Sequence, residues 1–248
     1  MTEKIKKTEA FLREKLKESP YFQEHPEAGA YRLEHTFRVA RIGMSIARAE
    51  GMDPEALAMA CLLHDVSYCR WSAASTQEDW LNHGRESARI ARPFLESLGL
   101  PPDVTGEICY GVAIHVDDKA DFPGEATAFA RTVGGADNID RFDVYRLYET
   151  LESMSFSKLS LGEKQAHVAK TQERLEKFLE MPLATPAATA LWRERIGVYR
   201  DFYRRLAEQL SAGLGFEEAM PRRPRRRWTG GCWVPPAIFN RAKERKTP

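Results

Sequence analysis

Residues 60–68, ACLLHDVSY, run apolar for four positions and then set His64 and Asp65 side by side. An imidazole and a carboxylate at the end of a buried-looking helix are each costly to desolvate without a partner. Upstream, residues 56–63 are apolar throughout, behind Asp53, an N-cap residue, and Pro54, placed where its missing N–H is harmless. The pair therefore closes an interior helix, and the rest of the chain must supply what it faces.

Helical periodicity dominates elsewhere, with no alternating strand and no internal repeat. MTEKIKKTEAFLREKLKE reads as an amphipathic helix rather than a signal peptide, and Ser19-Pro20 breaks it. A second helix is expected from about Tyr31 to Glu50, with Leu33, Phe37, Ala40, Met44 and Ala47 on one stripe and Gly51 as its stop. Residues 71–82 read as a loop. A fourth helix then starts near Asn82, turns Ala88, Ala91, Leu95 and Leu98 inward, contains Pro93 and closes at Gly99. Pro101-Pro102-Asp103 opens a fifth, running to His115, and a long helix is expected from about Thr127 to Ser153. Ser160 with Glu163 makes a capping box for another, and Thr185-Pro186 starts the last, to about Ser211. The expectation is an all-α domain over residues 1–220, with a motif core at about 30–150, a helical extension at 155–212, and a basic, flexible tail at 221–248.

The 248 residues suffice for one good-sized core, and 43% hydrophobic with 29% charged residues is ordinary for a globular protein. No apolar run approaches the roughly 20 residues needed to span a bilayer, so the chain is read as cytoplasmic without membrane partners. Cys61, Cys69, Cys109 and Cys232 form no CxxC pair, which argues against a disulfide frame or a thiolate zinc site; Cys61 and Cys109 read as core residues. Net charge is +1, but residues 221–248 carry nine Lys/Arg against one Glu, so the tail is +8 and the body −7. The body thus lacks the basic signature of a nucleic-acid binder. The tail reads most simply as a disordered extension; the sharper reading is contact with nucleic acid through Trp228 and Trp233 stacked between arginines.

His35 lies two residues after Leu33 and four before Val39, on an inward face. His64 and Asp65 are about 100° apart around their helix, so one metal near its end could take both. Asp137 lies four residues after Val133, on an apolar stripe where a lone carboxylate is expensive. Two imidazoles and two carboxylates make a mixed N/O set suited to manganese, iron, cobalt, nickel, magnesium or zinc with open water positions. His115 shares the face of Ile108 and Val112, whereas His25 and His167 have polar neighbours and are expected in solvent.

The order His35, His64-Asp65, Asp137, carried by LEHTFRVA, ACLLHDV and GADNID, resembles the HD-domain metal-dependent phosphohydrolases over roughly residues 30–150. The resemblance implies a helical bundle around one or two divalent metals. One ion would take His35, His64, Asp65 and Asp137; the other would take Asp65, His83 and His115, with Asp65 between them. It implies hydrolysis of a phosphoester, a nucleotide or other small phosphorylated molecule, by metal-activated water, with Asp65 orienting that water or accepting its proton. Arg38, one turn from His35, could hold a phosphate oxygen or make a surface salt bridge, and Lys119 is a second phosphate candidate. Trp71 and Trp80 flank the expected loop and could line a substrate mouth. No Gly-Tyr-Pro signature follows His115, which sets the chain apart from the HD-GYP dinucleotide hydrolases, and Val66-Ser67-Tyr68 stands where alarmone hydrolases carry acids. The same ligand order occurs in mixed-valent di-iron oxygenases of the HD fold acting on small polyols or phosphonates, and the pattern alone does not separate the two classes.

Overall fold

A computed structural model of the chain describes residues 2–142 and 144–211. They form α1 (Glu3–Lys17), α2 (Pro20–Glu24), α3 (Pro26–Glu50), α4 (Pro54–Leu63), α5 (Gln77–Ser97), α6 (Pro102–Ile114), α7 (Ala128–Asp140), α8 (Val144–Ser153), α9 (Leu161–Leu179) and α10 (Pro186–Ser211). Short 3-10 turns lie at Val66–Arg70 and Phe156–Lys158, and no strand occurs among the described residues. The fold is an all-α bundle. No helix among these residues is long and apolar enough to cross a membrane. The basic tail, with Cys232, lies outside the described residues.

Helix starts follow local chemistry. Asp53 accepts hydrogen bonds from the Glu55 and Ala56 amides, and Thr127 accepts from Ala130, satisfying donors that have no intrahelical partner. The Ser160–Glu163 capping box forms as expected. Gly51 closes α3 in the left-handed region at φ 69°.

Three expected boundaries are corrected. The helix carrying His35 starts at Pro26 rather than Tyr31, after the separate short α2. The helix carrying His83 starts at Gln77 rather than near Asn82, because Thr76 and Asp79 make a reciprocal capping box inside the expected loop over residues 71–82. His83 is therefore in the second turn of α5, and buried. The long helix over 127–153 is two: α7 tightens at its end, Arg141 and Phe142 bonding back to the Asn138 and Ile139 carbonyls. The break lets Phe142 drop edge-on among Phe178, Trp192 and Tyr199, at 5.4, 5.0 and 5.3 Å between rings.

The central α3 packs against α4 and α7; α5 pairs with α6, α6 with α7, and α9 with α10. Residues 56–63 of α4 are all buried, including Cys61, and Cys109 of α6 is buried too. One hydrophobic cluster runs from Leu12 in α1 to Tyr203 in α10, so the C-terminal helices share the core of the motif-bearing ones. His25 is exposed as expected, but His167 is half-buried near the Tyr203 hydroxyl (3.3 Å).

Candidate metal centre

Five helices deliver six donors to one place. His35 comes from the middle of α3, His83 from α5 and Asp137 from α7, while His64 and His115 stand at the C-caps of α4 and α6. Asp65 leaves the helical backbone (φ −110°, ψ 15°), and its Oδ2 lies 3.2 Å from His64 Nε2. A buried hydroxyl relay ties the turn after Asp65 to α5. The Ser67 amide donates to Ser87 Oγ (3.1 Å), and Ser67 Oγ donates to the His83 carbonyl (3.0 Å).

The imidazoles are held from behind. His64 Nδ1 donates to the Cys61 carbonyl (2.7 Å), His115 Nδ1 to that of Val112 (2.7 Å), and His83 Nδ1 to that of Trp80. A carbonyl oxygen can only accept, so in all three the Nδ1 carries the proton and Nε2 faces forward. His35 Nδ1 donates to the Asp140 carboxylate (2.7 Å). Carboxylate and carbonyl partners behind a ring are what orient a metal-ligating histidine.

In front, the donors sort onto the two oxygens of Asp65. Oδ2 faces His64 Nε2 and, at 3.8 Å, His35 Nε2, which is also 3.2 Å from Asp137 Oδ1. Oδ1 faces His83 Nε2 at 3.1 Å and His115 Nε2 at 3.7 Å. Two groups have donor atoms mutually close enough to share an ion: His35, His64 and Asp137; and His64, Asp65 and His115. Two observations show that the donor set fits a cation. His64 Nε2 is buried without a hydrogen-bond partner, being near Asp65 but not aligned with it. The Nε2 atoms of His83 and His115 approach to 3.1 Å with both Nδ1 protons already committed, so two lone pairs meet unless a positive charge lies between them.

Burial opposes charge on Asp65, but His64 and Arg32 outweigh it and hold its carboxyl well below the usual range. Asp137 is likewise held low against its burial, by Arg141 and His35. Burial works against protonation of His35, yet Asp137 and Asp140 raise its pKa, whereas burial lowers that of His83 despite Asp65. Arg32 pairs with Asp65 and lies over the Tyr68 ring at 3.8 Å, and Arg141 pairs with Asp137.

The centre opens into a cavity of about 490 Å3, with Trp71 and Trp80 in its wall as expected. Two expected phosphate contacts are not brought to it. Arg38 forks onto the fully buried Asp140 (2.8 and 3.2 Å), behind His35. Lys119 is exposed and does not line the cavity. In their place Arg32, Arg141 and Arg146 line it. These arginines and Asp140 escaped the sequence reading. Asp140 stands three residues after Asp137 and Arg32 three before His35, one helical turn in each case, which is the signal that was available.

Residues 32–142 match the HD domain family. A solved structure described as a predicted HD superfamily hydrolase, from an uncultured Thermotogales bacterium, superposes with a TM-score of 0.54 at 18% identity, covering 82% of this chain and 91% of that one. At that identity the likeness is one of fold. No curated protein matches the chain. The family match spans the helices that deliver His35, His64, Asp65, His83, His115 and Asp137, and on these grounds residues 32–142 are an HD domain.

Proposed function

We propose that this protein is a metal-dependent phosphohydrolase that cleaves a small phosphorylated molecule, a nucleotide being the leading class. The observation that carries the reading is the row of imidazoles, each bonded from behind through Nδ1, whose Nε2 atoms face the two oxygens of Asp65 at the floor of a cavity. His35, His64, Asp65 and Asp137 would hold one divalent cation, and Asp65, His83 and His115 a second. Nitrogen and oxygen donors suit manganese, iron, cobalt, nickel or zinc, and admit magnesium. When bound, such ions polarise a phosphoryl oxygen and lower the pKa of water toward about 7.

The chain's own groups do the rest. Asp65, charged and facing imidazoles of both proposed ion sites, would orient the attacking water or accept its proton. Arg32 and Arg141 balance the carboxylates and present positive charge to the wall where a phosphate would enter. The buried rings of Trp80 and Tyr68 keep bulk water from the floor.

The test is metal analysis of protein purified without added metal, followed by a phosphoester panel with and without oxygen. Phosphate release in the absence of oxygen, lost in Asp65→Asn, is the expected result. Failure to release phosphate from any member, with iron-loaded protein consuming oxygen on a polyol or phosphonate instead, would replace this reading with the oxygenase one.

A further inference from the structure

The floor of the cavity comes from the matched HD segment, but part of its wall does not. Arg146, Glu149, Thr150 and Ser153 of α8 lie beyond residue 142 and line it. Arg146 differs from the other arginines near the centre in how its charge is met. Arg32 pairs with Asp65, Arg141 with Asp137, and Arg38 with Asp140. Among the described residues Arg146 has no ion pair. It donates to the Tyr31 hydroxyl, a neutral group, and lies over the Tyr31 ring at 5.2 Å. The carboxylate next along that wall, Glu149, is engaged by the Tyr145 hydroxyl.

Its distance from the centre is also defined. Tyr31 stacks on His35, with ring centroids 6.3 Å apart and planes 8° from parallel. Arg146, bonded to the Tyr31 hydroxyl, is thus one ring removed from His35, a candidate metal ligand. A half-buried guanidinium balanced only by a phenol is a site for an anion, because a charge-assisted fork would replace a neutral hydrogen bond. One ring is also about the width of a sugar.

We propose that Arg146 binds a second anionic group of the substrate, a phosphate or carboxylate separated from the scissile phosphate by a sugar-sized spacer. This rests on the phosphohydrolase reading above. Arg146 then acts as the specificity residue: the HD floor handles the phosphoryl group common to many esters, and α8 selects those with a distal negative charge.

The experiment measures kcat/KM of metal-loaded protein on matched pairs. Adenosine 5′-monophosphate is set against adenosine 3′,5′-bisphosphate, fructose 6-phosphate against fructose 1,6-bisphosphate, and glucose 6-phosphate against 6-phosphogluconate. The first two pairs report a second phosphate and the third a carboxylate. The readout is the ratio within a pair on one preparation, which is independent of the folded fraction. The wild type should favour the doubly anionic member of at least one pair. Arg146→Gln should reduce that ratio about 10- to 100-fold, and Arg146→Lys, which keeps the charge, should retain most of it. A wild-type ratio near one in every pair, or a ratio unchanged in Arg146→Gln, overturns the inference and leaves the phosphohydrolase reading standing. No phosphate release from any member by the wild type removes both.

Discussion

At the scale of single residues, Asp65 is where the electrostatics of the protein concentrate. Its two oxygens face four imidazoles between them, and Arg32 supplies the counter-charge. A buried carboxylate so placed is tolerable only because positive groups surround it, and a divalent cation would meet the same need more strongly. The division of labour between its oxygens makes nuclearity testable. Wild-type protein saturated with manganese should hold about two ions per chain and His115→Ala about one; two retained ions in the variant would return His115 to a packing role. Asp140 contributes from behind. It is fully buried, accepts from His35 Nδ1 and is forked by Arg38. Asp140→Asn keeps the shape but removes the charge that makes His35 a better donor. Competition with a chelator should show the ion at His35 weakened about 10- to 100-fold, and the ion at His83 and His115 far less. Equal weakening at both would mean that the substitution loosens the bundle instead.

At the scale of elements, the centre depends on how closely α5 approaches α6. Gly84 follows His83, and a Cβ there would lie 2.6 Å from the Ala113 carbonyl oxygen and 3.0 Å from His115 Nδ1. The helix end at Ala113 is backbone and cannot step aside, so Gly84→Ala should push the two helices apart. The expected cost is about 1–3 kcal/mol, read as a lower Tm, together with loss of the second ion before the first. A variant with wild-type Tm and metal content would show that the close approach is dispensable. The same element explains a boundary the sequence reading missed. Thr76 and Asp79 were legible as a capping pair, but the polar run around them resembles loop, and only the burial of Trp80 and His83 shows that the helix has begun. The α7–α8 break was not legible either. Its cause is an aromatic pocket built by α9 and α10, more than thirty residues further along the chain.

At the scale of the whole molecule, one core joins α1 to α10, and the described site residues end with Ser153 on α8. The extension buttresses α7 through Phe142 without supplying a donor to the centre. The 15-unit charge difference between tail and body, +8 against −7, does not suit a segment that completes a core. A chain ending at Met220 should therefore keep its metal, its helical circular dichroism and its turnover of small phosphoesters. It should lose only salt-sensitive binding to polyanions, if the full chain shows any. Precipitation of the shortened chain, or loss of a large part of kcat, would show that Trp228, Trp233 and their apolar neighbours cover part of the bundle.

The sequence by itself determined the helical class, most helix starts and the candidate donors His35, His64, Asp65 and Asp137, because helical period, capping and polar residues on apolar stripes are local properties of the chain. It marked these four by the cost of burying them alone, whereas His83 and His115 became donors to a second ion only through the resemblance to the HD family. Only the tertiary structure decided what each charge is set against. Arg38 points away from the cavity to the buried Asp140, Lys119 stays in solvent, and Arg32, Arg141 and Arg146 form the basic wall instead. A side chain's period fixes the face of the helix it occupies, but which neighbour meets that face depends on how helices distant in sequence cross. The partners of these arginines, and with them the chemistry of the cavity, are for that reason a property of the packed molecule.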